Sequence, residues 1–271
     1  MPSVQARNAG KSACECTERT VRSTVASVDA QSAQRRRRDV LRPATLDSMP
    51  LTAVFFDIGE TLVDETEPWG RWADWVGVPR HTFSAALGAV VARATRPPDG
   101  SRVMPFLNRV VELVRPDLDL DAFLRERGQA EAGFTADDLY PDALETLVAV
   151  RELGYRVGIA GNQPPLADGV IRASGLPFEW LLISAIEGVQ KPDPAFFARI
   201  TEVSGLPASS IIYVGDRVDN DVVPAHQAGM VPVHVRRGPW GTLQADQPGA
   251  ECAALRVNTL RELPARLSEL S

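Results

Sequence analysis

The sequence predicts an α/β fold: a doubly wound parallel sheet with an inserted all-helical segment. Three observations carry that prediction. Ala53 to Phe56 is an apolar run without alternation, the pattern of a strand covered on both faces in a parallel sheet. From Tyr140 onward, helical and strand-like stretches alternate, as they do when helices cross over between parallel strands. Between these two regions, residues 66 to 140 show helical spacing and no strand pattern.

Taken in order, Trp69, Trp72 and Val76 mark a first inserted helix, and Phe83, Leu87, Val90 and Val91 mark a second. Arg96-Pro97-Pro98-Asp99-Gly100 breaks the pattern. Pro105 opens a third helix and Asp121 to Gly128 suggests a fourth. Leu144, Leu147 and Val148 lead to a strand over 155 to 161, with Pro164 and Pro165 opening the next helix. A short strand follows at Phe178 to Ser184. Asp193 is placed to cap a helix with Pro194 at its first position and Gly205 at its end. Strands at 211 to 215 and 231 to 235 flank a helix closing at Gly229. Ala254 to Val257 reads as a last strand, and Leu260 to Leu270 as a terminal helix. The domain reading is therefore a core of residues 49 to 65 and 141 to 271, with a helical cap at 66 to 140.

Composition narrows the function classes. The chain has 271 residues, 44% of them hydrophobic, and a formal net charge of −6. Residues 1 to 48 hold nine basic and five acidic side chains, so the remainder carries −10. An acidic body repels nucleic acid and anionic membranes, so neither is an expected partner. No apolar run reaches the roughly 18 residues a membrane helix needs. Cys14, Cys16 and Cys252 form no disulfide framework, which points to a cytoplasmic protein. Residues 1 to 48 have no sustained periodicity and are expected to be disordered. Met49-Pro50-Leu51 stands directly before the first strand, so Met49 is a candidate initiator, which would leave the preceding tail untranslated. Arg35 to Arg38 reads as a solvated charge run.

Four stretches concentrate the chemistry. Asp57-Ile58-Gly59-Glu60-Thr61 ends the first strand, where open α/β sheets place ligands. Gly161-Asn162 ends the second, Lys191-Pro192-Asp193-Pro194 follows, and Gly215-Asp216-Arg217-Val218-Asp219-Asn220-Asp221 ends the strand at 211 to 215. In this order they resemble the haloacid dehalogenase superfamily of phosphotransferases and hydrolases, from Leu51 to roughly Val235.

The resemblance implies a Rossmann-like core, a helical cap and a Mg2+-dependent hydrolase of a small phosphorylated metabolite, monomeric or homodimeric. It implies Asp57 as nucleophile and Lys191 as the cation that steadies it and the phosphoryl group. It implies Asp57, Asp216, Asp221 and the backbone carbonyl of Gly59 as metal ligands, with Asn220 supporting their loop. Composition adds a separate point for Lys191. It is the only lysine outside the tail in a chain that otherwise uses arginine, so a compact ammonium is wanted there.

Two positions depart from the resemblance. Gly59 stands where such phosphatases carry the Asp that serves as general acid and base, help worth ~10^2 to 10^4 in rate. Gly161 stands where Ser or Thr would bind phosphate, leaving the N–H groups of Gly161 and Asn162 near a helix N-terminus to hold the anion. Glu60 should point elsewhere. A binding protein without turnover therefore stays open as an alternative. A metal-free dehalogenase is disfavoured by the acidic cluster, and a Schiff-base phosphonatase by the absence of lysine from 66 to 140. His81, His226 and His234 lack ligand spacing. Arg236 to Gly241 reads either as a substrate-touching loop or as a packed Trp turn.

Overall fold

The computed structural model describes residues 50–93, 105–127 and 133–270. The tail of residues 1 to 48, Met49 and the 96–100 break lie outside the described residues. Six strands form one sheet in the order β3-β2-β1-β4-β5-β6: β1 Ala53–Phe56, β2 Arg156–Gly161, β3 Trp180–Ile183, β4 Ile211–Gly215, β5 Val231–Val235 and β6 Leu255–Val257. Every pairing is parallel, and β1 lies at the centre with Phe56 opposite both Ile159 and Val214.

Successive side chains of a strand point to opposite faces, so β1 feeds two cores. Val54 and Phe56 join Ile159, Val214 and Val233 against the helices α5 (Ala143–Glu152) and α6 (Leu166–Ala173) and against Leu260, Leu263 and Leu267. Ala53 and Phe55 join Tyr213, Phe196, Phe197 and Ile200 of α8 (Pro194–Ser204) and Ala225 of α9 (Val223–Gln227), the short helix α7 (Ser184–Glu187) lying between β3 and α8 in the chain. With helices on both faces, a strand without alternation loses no apolar side chain to water.

Between β1 and β2 the chain makes α1 (Thr66–Val76), α2 (Arg80–Arg93), α3 (Pro105–Val114) and α4 (Leu120–Arg127). These bury a core of their own around Trp72, Phe83, Leu87, Leu107 and Val110. The Trp72 and Trp75 rings meet edge-on at 5.0 Å, and Trp75 meets Phe123 at 4.9 Å. The tryptophans at 72 and 75 are thus packing residues. The chain leaves and returns along one seam, where Val63 bridges Leu139 and the Tyr140 N–H bonds the Leu62 carbonyl at 2.9 Å.

Two readings of the sequence need correction. The stretch Leu260–Leu270 is not one helix but a 3-10 turn (Leu260–Glu262), a short helix α11 (Leu263–Arg266) and a second 3-10 turn (Leu267–Leu270). Pro264 lacks an N–H and its ring would strike the carbonyl four residues back, so the helix restarts with Pro264 in its first turn. The helix ending near Gly229 opens with a π turn, Val218–Val222, and becomes regular only at α9. The loop at 236 to 241 resolves into packing: it begins α10 (Gly238–Leu243), and Trp240 seats among the inserted helices.

Candidate active site

The carboxyl ends of β1 and β4 bring the candidate acids together. Asp57 follows β1 directly, its N–H bonded to the Val214 carbonyl at 2.8 Å, and Asp216 follows β4. The π turn then folds Asp221 back to the same place, where its Oδ2 accepts from the Arg217 N–H at 2.9 Å. One carboxylate oxygen from each of Asp57, Asp216 and Asp221 lies within 4.8 Å of the others, and all three residues are buried.

Lys191 enters this cluster from the opposite loop. Its Nζ lies 2.6 Å from Asp57 Oδ1 and 2.6 Å from Asp221 Oδ1, with the side chain 1% exposed. The Asn162 side chain fixes that loop: its Nδ2 donates to the Lys191 carbonyl at 2.9 Å and its Oδ1 accepts from the Lys191 N–H at 2.8 Å. The Lys191-Pro192 peptide bond is cis. The Asn162 amide is therefore occupied in holding Lys191. Helix α6 starts at Leu166, so the Gly161 and Asn162 N–H groups lie about a turn ahead of its end rather than at it.

Gly161 has a steric reason. A Cβ there would come within 2.7 Å of Asp57 Oδ1 and 3.0 Å of Ile58 Cγ1, so a larger residue would push on the Asp57 carboxylate. No backbone feature of the sequence announces this approach.

The electrostatics are those of a site short of positive charge. Burial pushes the Asp57 carboxyl up to about 7, against the pull of Lys191 and with the Asp221 charge adding to the rise. Burial, then the Asp221 and Asp57 charges, hold Asp216 well above the usual carboxylate range. Burial alone would lower the Lys191 ammonium, but Asp221 and Asp57 outweigh it and keep it well above its ordinary value. The Lys191 ammonium pairs with Asp57 and Asp221, Arg217 is the cation whose charge acts on Asp216, and Asp216 Oδ2 is buried without a hydrogen-bond partner. Buried carboxylates are stable only when paired or bound to a metal, and clustered hard oxygens suit a divalent cation such as Mg2+. The residues present fit such an ion.

Two acids near Gly59 differ in their circumstances. Glu60 takes a left-handed backbone conformation, φ 53°, which turns its side chain away: Tyr140 Oη donates to Glu60 Oε2 at 2.6 Å and the Glu65 N–H donates to Oε1 at 3.3 Å. Glu60 does point elsewhere. Glu65, which the reading of the sequence passed over, sits half-buried just before α1. Trp69 Nε1 donates to its Oε2 at 3.0 Å, and the Gln163 side chain also hydrogen-bonds it. Burial, then the Glu60 charge, push the Glu65 carboxyl up to about 7. Its only signal in the sequence is an acid directly ahead of a helix.

Asn220 is half-buried within the π turn. His234 is buried, its Nε2 donating to the Asp216 carbonyl at 2.8 Å, while His81 and His226 are exposed.

Residues 51–229 match the haloacid dehalogenase-like hydrolase family. The chain is 36% identical over 109 residues to the glyceraldehyde 3-phosphate phosphatase of Methanopyrus kandleri, covering 39% of this chain and 46% of that one. It is 32% identical over 207 residues to the phosphoserine phosphatase of Thermus thermophilus, covering 72% and 78%. The chain thus spans about half the length of the first of these relatives. A solved structure described as a predicted phosphoglycolate phosphatase of Haemophilus somnus superposes with a TM-score of 0.58 at 21% identity, covering 80% of this chain and 98% of that one. That likeness is one of fold.

Proposed function

Because the chain belongs to the haloacid dehalogenase-like hydrolases, we propose that it is a Mg2+-dependent phosphatase of a small phosphorylated metabolite, working through an aspartyl phosphate on Asp57. The observation that carries this reading is the meeting of Asp57, Lys191, Asp216 and Asp221 at the carboxyl ends of the two central strands. The phosphorylated substrates named for the relatives above are small metabolites, which supports the substrate class.

Asp57 supplies the attacking oxygen, so one difficult displacement becomes two easier ones. Lys191 holds that oxygen in place and offers its positive charge to the incoming phosphoryl group. Asn162 positions Lys191 by gripping its backbone. Asp216 and Asp221, with Asp57, would hold Mg2+, whose charge offsets the repulsion between carboxylate and phosphate. The helices α1 to α4 act as a cap that excludes water and selects the substrate. Cys252 is unpaired among the described residues, in keeping with a cytoplasmic setting. No helix among the described residues is long and apolar enough to cross a membrane.

Hydrolysis of an aryl phosphate by the full chain tests this, with and without Mg2+ and beside Asp57→Asn. Turnover that needs the metal and vanishes in Asp57→Asn is expected. Binding of Mg2+ without turnover of any phosphate ester would instead favour the non-catalytic reading that Gly59 suggests.

A further inference from the structure

We infer that Glu65 is the acid-base group of this site, its carboxylate reaching from the start of α1 into the space that a side chain at position 59 would fill. The inference rests on the phosphatase reading above. A Cβ built on Gly59 would lie 2.4 Å from Glu65 Oε1 and 2.8 Å from its Cδ. The place two residues after the nucleophile is therefore not empty: it holds a carboxylate delivered from another part of the chain.

The surroundings place that carboxylate on the reacting side of the sheet. Gly59 belongs to the loop after β1, Gln163 to the loop after β2, and Arg217, whose charge acts on Glu65, to the loop after β4. All three loops leave the carboxyl edge from which Asp57 and Asp216 project. Trp69 and Gln163 both hydrogen-bond the side chain, which limits the freedom a long Glu would otherwise lose on acting. Glu60, the nearer acid in sequence, is 5% exposed and committed to Tyr140. Glu65, by contrast, is only half-buried as a residue.

In the first step an Asp57 oxygen bonds to phosphorus and the bond to the leaving oxygen breaks. That oxygen takes the proton of the Glu65 carboxylic acid. In the second, a water gives a proton to the Glu65 carboxylate as its oxygen bonds to phosphorus. The bond from phosphorus to Asp57 then breaks, releasing inorganic phosphate and restoring both carboxyl groups.

The test compares kcat/KM for glycerol phosphate, whose alkoxide leaves poorly, and p-nitrophenyl phosphate, whose phenolate needs no proton. Glu65→Gln keeps the shape and an acceptor for Trp69. It should lose ~10^2 to 10^4 on the alkyl ester and far less on the aryl ester. Phosphorylated Asp57 should accumulate and be seen by mass spectrometry. Glu65→Ala should be rescued on the alkyl ester by adding Gly59→Asp, to within about tenfold of wild type. Equal losses on both esters without rescue would reduce Glu65 to a structural residue, and unchanged rates would remove it from the reaction. Melting curves of each variant separate these outcomes from misfolding. Wild-type activity that Asp57→Asn abolishes, with Glu65→Gln unaffected, would overturn this inference and leave the phosphatase reading standing. No wild-type activity on either ester would overturn both.

Discussion

Asp216 illustrates what a buried acid among other acids costs a fold. Its carboxyl is 1% exposed, faces Asp57, Asp221 and Glu60 with Arg217 as the nearby cation, and has one oxygen without a partner. Replacing it by Asn removes the repulsion, so Asp216→Asn should raise Tm in the absence of metal. The sign of its pH dependence follows from the raised pKa. The unfolded chain releases this proton above roughly pH 4, while the folded chain retains it. Wild-type stability therefore falls relative to the variant as pH rises from there. The gain in Tm should be small at pH 4 and grow toward neutrality. Mg2+ should raise the Tm of the wild type and act weakly on the variant. A gain independent of pH would show that Asp216 is already ionised in the folded chain. At this scale the sequence was partly legible. Asp57 and Asp216 close apolar runs, Asp221 belongs to the acid cluster that follows the second of them, and Lys191 stood out as a lysine among arginines. Glu65 did not, because its nearness to Gly59 depends on the left-handed turn at Glu60 and the bridge at Val63, neither of which is written in residue type.

Among the elements, α8 is the one whose ends the sequence spelled out. Asp193 caps it by accepting the Ala195 N–H at 2.9 Å, Pro194 occupies the first turn, and Gly205 ends it with φ 67°. Asp193→Ala should cost about 1 kcal/mol of stability, measured by chemical denaturation; a loss of several kcal/mol would point to a role beyond the cap. The π turn at Val218–Val222 was not legible, since its five residues look like the start of any helix. What selects it is tertiary: Asp221 must reach Lys191 Nζ while the Val218 N–H takes the Gln244 side chain at 2.8 Å. Pro264 is the local sign of a break in the terminal segment, which the reading of one helix over Leu260 to Leu270 did not use.

Across the whole molecule, the insertion is tied to the sheet by a small buried network. Arg237 bonds the Thr61 carbonyl at 3.0 Å where the chain leaves the core, forms an ion pair with Asp142 where it returns, and lies 4.0 Å over the Tyr140 ring. Asp142 also accepts the Leu260 N–H at 3.0 Å. Arg237→Ala would strand the Asp142 charge in the interior and should destabilise the fold by about 3 to 5 kcal/mol. Loss of under 1 kcal/mol in denaturant unfolding would contradict the network's role. Sequence reading recovered the parallel sheet with its flanking helices because that pattern rests on apolar periodicity. It left the Arg237 loop undecided because that network joins residues far apart in the chain.

The chain has two lysines, Lys11 and Lys191, and the second is enclosed between Asp57 and Asp221. Below the tail, a single ε-amine thus lies at the centre of the site, beyond the reach of an acylating reagent while the fold is closed. Modification of the peptide bearing Lys191, followed over time, should then count openings of the site itself. Inorganic phosphate together with Mg2+ should slow that count if they seal it, and fast labelling of the native chain would mean that the enclosure breathes.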